Sequence, residues 1–171
     1  MKKNNYMEKI GKQAKIASKD LYNFTEKKRN AVLKQFCIYL KKNKKIILKK
    51  NRIDLLNANK TKNSMIDRLK LNNNKINQII KSVEKITKFK DPLGKTLASW
   101  KRPNGLIIKR LSIPIGVIGV IYESRPNVTS DVSALCFKTG NAVILRGGSD
   151  AFNSNRIIAN LFRKALRKKK C

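Results

Sequence analysis

Residues 113–150 read IPIGVIGVIYESRPNVTSDVSALCFKTGNAVILRGGSD, and this stretch decides the fold. It opens with an apolar run from Ile113 to Ile121, broken only by Pro114, Gly116 and Gly119. A short run rich in Val and Ile and apolar on both faces predicts a parallel strand covered by helices on both sides. Arg125 to Gly140 follows with helical spacing. Pro126 suits a first turn, Val132, Leu135 and Cys136 line one face, and Gly140 suits the stop. Ala142 to Leu145 predicts a second buried strand. Gly147-Gly148-Ser149-Asp150 then predicts a tight turn, with Ser149 or Asp150 capping the next helix. Strand, helix, strand, glycine turn, helix is the opening of a doubly wound, Rossmann-like parallel sheet.

The flanks place this opening in a longer order. Residues 1–95 read as a helical segment. Ile10, Ala14, Ala17 and Leu21 share a face, and Thr25 precedes Leu33, Phe36, Cys37 and Leu40 at helical spacing. Lys41 to Lys50 reads as a basic connection before a helix resumes at Ile53. Ser64 is expected to cap a short helix ending at Leu69. Ile76, Ile79, Ile80, Val83 and Ile86 make the clearest amphipathic stripe, ended by the Asp91-Pro92-Leu93-Gly94 turn. Residues 96–112 read as a basic β-hairpin around Pro103-Asn104-Gly105, with Trp100 facing Ile108. Residues 113–171 begin the α/β domain and end in a helix burying Ile157, Ile158, Leu161, Phe162, Ala165 and Leu166. The expected fold class is α/β: N-terminal helices and a hairpin leading into the first, incomplete part of a doubly wound sheet.

Composition narrows the setting. Three unpatterned cysteines predict a reducing compartment, and no stretch approaches the ~20 apolar residues of a membrane span. Cytoplasm is the expected location. The net charge of +31 raises a nucleic-acid reading. However, the charges between Leu111 and Leu145 are Glu123, Arg125, Asp131 and Lys138, which cancel. The excess is lysine among Asn and Ile on the other segments, without an Arg and aromatic platform. A solvated lysine surface is the reading taken, with no specific nucleic acid and no membrane expected. A basic, non-catalytic nucleic-acid module is kept as the alternative.

The chemistry points to the glycine turn. Arg146, Gly147, Gly148 and Ser149 lie where a strand ends and a helix begins, so backbone amides and a guanidinium can meet a phosphate or a ribose hydroxyl. The fingerprint G-x-G-x-x-G is absent, and a structural turn carrying a solvated Arg fits the same residues. Cys37 and Cys136 fall on apolar helix faces and read as core. Cys171 follows three lysines but has no scaffold to hold it as a nucleophile. With no His in the chain and no cysteine pair at ligand spacing, no metal site is expected.

The run Pro114–Gly148, PIGVIGVIYESRPNVTSDVSALCFKTGNAVILRGG, resembles gamma-glutamyl phosphate reductase (glutamate-5-semialdehyde dehydrogenase), a branch of the aldehyde dehydrogenase superfamily. Asp67-Arg68-Leu69, Asp91-Pro92-Leu93-Gly94 and the basic hairpin fit as well. The resemblance covers essentially the whole chain but only the first part of the family's protein. It implies NADPH-dependent reduction of L-glutamyl 5-phosphate to L-glutamate 5-semialdehyde and phosphate, in proline biosynthesis. It implies that Arg146 meets the adenosine ribose or its phosphate, that Asn127 supports the oxyanion, and that the hairpin belongs to an arm used in homo-oligomers. The family's nucleophile is a cysteine in a Pro-Ser-Thr-Cys-like context, which this sequence lacks. The chain is therefore expected to be truncated by slippage or a stop near Arg167–Lys170. It would be loosely packed and inactive alone, or half of a split enzyme needing a C-terminal partner chain.

Overall fold

The computed structural model describes residues 5–58 and 63–169, without the side chains of residues 63 and 64. Five helices come first: α1 (Asn5–Tyr22), α2 (Glu26–Lys42), α3 (Lys44–Asn57), α4 (Asn63–Leu69) and α5 (Asn73–Thr87). Strands β1 (Thr96–Lys101) and β2 (Ile107–Leu111) follow, then β3 (Val117–Tyr122), α6 (Pro126–Lys138), β4 (Ala142–Gly147) and α7 (Phe152–Lys168). A single 3-10 turn, Ser149–Ala151, joins β4 to α7.

β1 and β2 form the antiparallel hairpin, with Trp100 opposite Ile108 as expected. β3 and β4 pair in parallel through the α6 crossover, in a register that sets Ile121 beside Arg146 and Tyr122 beside Gly147. This is the predicted βαβ unit. Gly116 adopts φ +115°, a conformation open to glycine, so β3 begins only at Val117. Ile113 and Ile115 therefore stay outside the strand.

The expectation that this strand is covered on both sides is corrected. Ile113, Ile115 and Ile121 are 68%, 83% and 84% exposed. Among the described residues the parallel sheet has two strands, so each keeps one unpaired edge, and α1 and α6 supply most of the helix packing against it.

One apolar core joins the early helices to the late ones. Val32, Leu33, Phe36 and Leu40 of α2 meet Ile76, Ile79, Ile80 and Val83 of α5, Ala134 and Phe137 of α6, and Ile158, Leu161 and Phe162 of α7. Phe162 stands edge-on to both Phe36 (centroids 5.0 Å) and Phe137 (5.6 Å). On α6 the buried face differs from the expected one. Leu135 is exposed, Val132 is half-buried, and Ala134, Cys136 and Phe137 are buried. The face is set by α2, α5 and α7 together, which the spacing within α6 alone does not specify. On α7, Ile157 and Leu166 are partly buried at the margin of the core.

Three other local expectations change. The basic stretch Lys41–Lys50 is mostly helix α3 and not a connection, because a break at Asn43 is followed by Ile47 burying into the core. Ser64 falls inside α4, so it does not precede the helix as a cap, and its side chain lies outside the described residues. Neither Ser149 nor Asp150 caps α7. Thr25 does cap α2, its hydroxyl accepting from the Lys28 amide at 3.3 Å, and Asn72 caps α5 through the Lys75 amide at 2.8 Å.

Two nearly buried cations lock α2 in place. Arg29 donates to the Phe24 carbonyl and to Asp91 of the Asp-Pro-Leu-Gly turn. Lys138 of α6 donates to Glu26 (2.7 Å) and Asn30 (2.8 Å). The Lys138 hydrogen bond holds the Glu26 carboxyl below its ordinary range.

Candidate active site

Both loops of interest leave the carboxyl ends of adjacent parallel strands, where sheets of this kind bind ligands. One runs from β3 into α6, whose first turn carries Asn127. The other runs from β4, which ends in Arg146 and Gly147, through Gly148 and Ser149 into α7. They touch: Ser124 Oγ donates to Asp150 Oδ2 at 3.3 Å.

The glycine pair is explained first by packing. A methyl group on Gly147 would lie 2.3 Å from Asn155 Nδ2 and 3.0 Å from the Tyr122 ring. One on Gly148 would lie 3.2 Å from Ser124 Oγ. Beneath the turn, Thr129 Oγ1 donates to Asn155 Oδ1 at 2.9 Å and accepts from the Tyr122 hydroxyl at 2.7 Å. The glycines let β4 and its turn close onto this chain of hydroxyls and amides.

The start of α7 is occupied from within. Asp54 of α3, 2% exposed, accepts from the amides of Asn153 (3.0 Å) and Ser154 (2.7 Å) and from the Asn153 and Ser154 side chains. A carboxylate on the first amides of a helix satisfies donors that would otherwise remain open and faces the positive end of the dipole. Asn51, one turn earlier, bonds Ser154 Oγ, the Leu69 carbonyl and the Leu71 amide, tying in the end of α4. This network was invisible in the sequence because it joins residues about a hundred positions apart.

Arg146 is exposed, and one guanidinium nitrogen donates to the Gly147 carbonyl at 3.2 Å. Ser149 is also exposed, its hydroxyl 3.4 Å from Asp150. Arg146 and the turn thus present donors outward, while the α7 amides do not.

The β3–α6 junction is built differently. Arg125 occupies the cap position without a side-chain bond, and Pro126 begins the helix. Asn127 is exposed in the first turn, its Nδ2 donating to Asp131 Oδ2 at a long 3.4 Å. Both line a cleft of about 330 Å³ between the end of α4, α5 and α6, with Arg68, Leu71, Lys75 and Ile79 among its walls. The sequence singled out Asn127 and Arg68 only through the resemblance. Nothing there marked Asp131 or Lys75 as their neighbours.

The described cysteines lie elsewhere. Cys37 is buried and desolvation pushes its thiol up to about 11, while burial alone raises that of Cys136. Neither provides a thiolate at neutral pH. Cys171 lies outside the described residues.

No family model matches the sequence. Curated relatives do. The chain is 46% identical over 160 residues to the gamma-glutamyl phosphate reductase of Carboxydothermus hydrogenoformans, covering 92% of this chain and 39% of that one. The Listeria welshimeri reductase of the same name is 46% identical over 162 residues. The crystal structure of the Thermotoga maritima gamma-glutamyl phosphate reductase superposes with a TM-score of 0.89 at 44% identity, over 92% of this chain and 38% of that one. This chain is similar to the N-terminal portion of gamma-glutamyl phosphate reductases. It spans about 39% of the length of the relatives it matches. The NAD-dependent benzaldehyde dehydrogenase of Corynebacterium glutamicum, 19% identical with a TM-score of 0.68, shares the aldehyde dehydrogenase fold. Among the described residues no helix is long and apolar enough to cross a membrane.

Proposed function

We propose that this chain carries the cofactor-facing and oxyanion-supporting part of a gamma-glutamyl phosphate reductase, which reduces L-glutamyl 5-phosphate with NADPH to the 5-semialdehyde and phosphate, in proline biosynthesis. The supporting observation is the placement of Asn127 in the first turn of the helix after β3 and of Arg146 at the carboxyl end of the neighbouring parallel strand β4, at one end of the sheet. This is joined to similarity along nearly the whole chain to reductases of that name.

The residues present fit part of the cofactor. The exposed Arg146 guanidinium suits a ribose phosphate, which favours NADPH over NADH. Gly147, Gly148 and Ser149 let the backbone of the turn approach. The α7 amides are satisfied by Asp54, so the helix start does not contribute an anion seat. When bound, the nicotinamide supplies the hydride. Asn127, with its amide aimed from the first turn of α6 into the cleft, would donate to the carbonyl oxygen as charge develops there. The thiolate that forms the acyl intermediate belongs to a part of the enzyme outside these residues, since Cys37 and Cys136 are buried protonated thiols. That part, as a C-terminal chain or segment, also completes the β3–β4 sheet in this reading. A homo-oligomer using the β1–β2 arm is part of the same proposal, as are the division at residues 95 and 112 and a cytoplasmic setting.

The experiment is an NADPH titration of the chain followed by nucleotide fluorescence. Saturable binding that falls at least about tenfold in Arg146→Gln supports the reading, since a bidentate phosphate contact carries that much. Binding that is steeply salt-dependent, shared by DNA and indifferent to Arg146 would instead favour a polyanion-binding surface built on the net charge of +31.

A further inference from the structure

The cleft beside Asn127 contains charges of both signs that are only loosely partnered. Asp131 is partly buried; its Oδ1 is closed to solvent and takes no hydrogen bond, while Oδ2 accepts a long bond from Asn127, and the Ser82 side chain also acts on the carboxylate. Its carboxyl is pushed up by burial, against the lowering pull of the Ser82 and Asn127 side chains. The unbonded Oδ1 leaves the carboxylate one donor short. Across the cleft, Arg68 is 48% exposed and meets Glu123, itself 67% exposed, at 3.5 Å. So loose and solvated a pair is worth little and exchanges readily for another carboxylate. Lys75 is committed: its ammonium donates to the carbonyls of Asp67 (2.7 Å) and Lys70 (2.8 Å) and fixes the end of α4 that carries Arg68. Between the two charges, Leu71 and Ile79 give an apolar wall.

We propose that this cleft reads the α-amino-acid head of the substrate, with Asp131 holding the ammonium, Arg68 the α-carboxylate and the apolar wall the methylenes, so that the 5-carbonyl comes to Asn127. The inference rests on the reductase reading and deepens it: Arg68 and Asp131 determine specificity for an amino acid over a plain dicarboxylate or amine. A cleft of about 330 Å³ accommodates a molecule of that size. Asp131 and Asn127 lie one helical turn apart on α6, so the groups that hold the head and the carbonyl share one rigid element.

The test titrates L-glutamate, glutarate and 4-aminobutyrate into the isotopically labelled chain and follows amide shifts in α6. L-glutamate is expected to bind at least about tenfold more tightly than either analogue, each of which leaves one buried or charged partner unpaired. Asp131→Asn should erase the preference over glutarate, and Arg68→Gln the preference over 4-aminobutyrate. Equal affinity for all three, no binding of L-glutamate, or preferences unchanged in both variants would overturn the proposal. The two readings fail separately. Selective L-glutamate binding without NADPH binding keeps the cleft and removes the reductase. NADPH binding that depends on Arg146, with no glutamate selectivity, does the reverse.

Discussion

The two strand-to-helix junctions sit side by side and treat their helix starts in opposite ways. After β4, α7 begins against Asp54, whose carboxylate accepts from four donors in a site 2% exposed to solvent. After β3, α6 begins with no side-chain cap, an exposed Asn127, and an Asp131 whose Oδ1 is closed to solvent and unbonded. Satisfied polar groups hold a structure together, and unsatisfied ones at a cleft leave capacity for something else. The contrast assigns stability to the α7 junction and chemistry to the α6 junction, and substitutions can separate them.

The largest effect is expected from Asp54→Ala. It removes the α7 cap and strands buried donors on Asn153 and Ser154. The cost is about 3 kcal/mol, combining a lost cap with buried unpaired groups. Thermal melting should fall by roughly 6–12 °C for a chain of this size. A shift within a degree or two would mean that the α7 junction is no more structural than its neighbour.

Gly147→Ala is next. Its added methyl displaces Asn155 and crowds the Tyr122 ring, disturbing the bonds of both to Thr129. About 1–2 kcal/mol should be lost in chemical denaturation, as for overpacking at a tight contact. If the variant were as stable as the parent, the glycine pair would be free to serve a ligand alone.

Asn127→Ala makes the converse case. The residue is exposed and its one bond is long, so stability should change by less than about 0.5 kcal/mol. If the reductase reading holds, the same change in a complete enzyme should slow turnover by roughly 10²–10³, the usual cost of one oxyanion donor. A large loss of stability with unchanged turnover would reverse the roles of the two junctions.

The sequence carried the elements well and the partnerships poorly. The βαβ order, the Trp100–Ile108 hairpin and the α5 stripe follow from periodicity and turn chemistry within a few residues of each position. Arg146 was legible as a candidate from its place between a strand end and a glycine turn, with its role sharpened by resemblance, whereas Asn127 came from resemblance alone, since a lone Asn after a Pro has many uses. What could not be read were contacts between distant segments. Asp54 gave no sign that it would cap a helix starting near residue 152, and Asp131 looked like any solvated helix charge. The exposure of Leu135 has the same origin: the buried face of α6 is chosen by three other helices. The exposed Ile121 marks a sheet face that the described residues leave uncovered.

The smallest effect concerns Asp131 and gives the contrast a pH signature. Burial raises its folded pKa above the unfolded value near ~3.9, so the folded state holds the proton more tightly than the unfolded one. Stability from this group is then greatest below the unfolded pKa and falls as pH rises through the folded value. At neutral pH the full penalty is in place, and Asp131→Asn removes it. The variant should therefore unfold at slightly higher denaturant than the parent at neutral pH, and the gap should close as the pH drops below about 4. Added L-glutamate should narrow the same gap at neutral pH by supplying the missing donor to the parent alone. A gap that ignores pH would mean that the carboxylate is already solvated, and the α6 junction would lose the unmet charge on which its assignment rests.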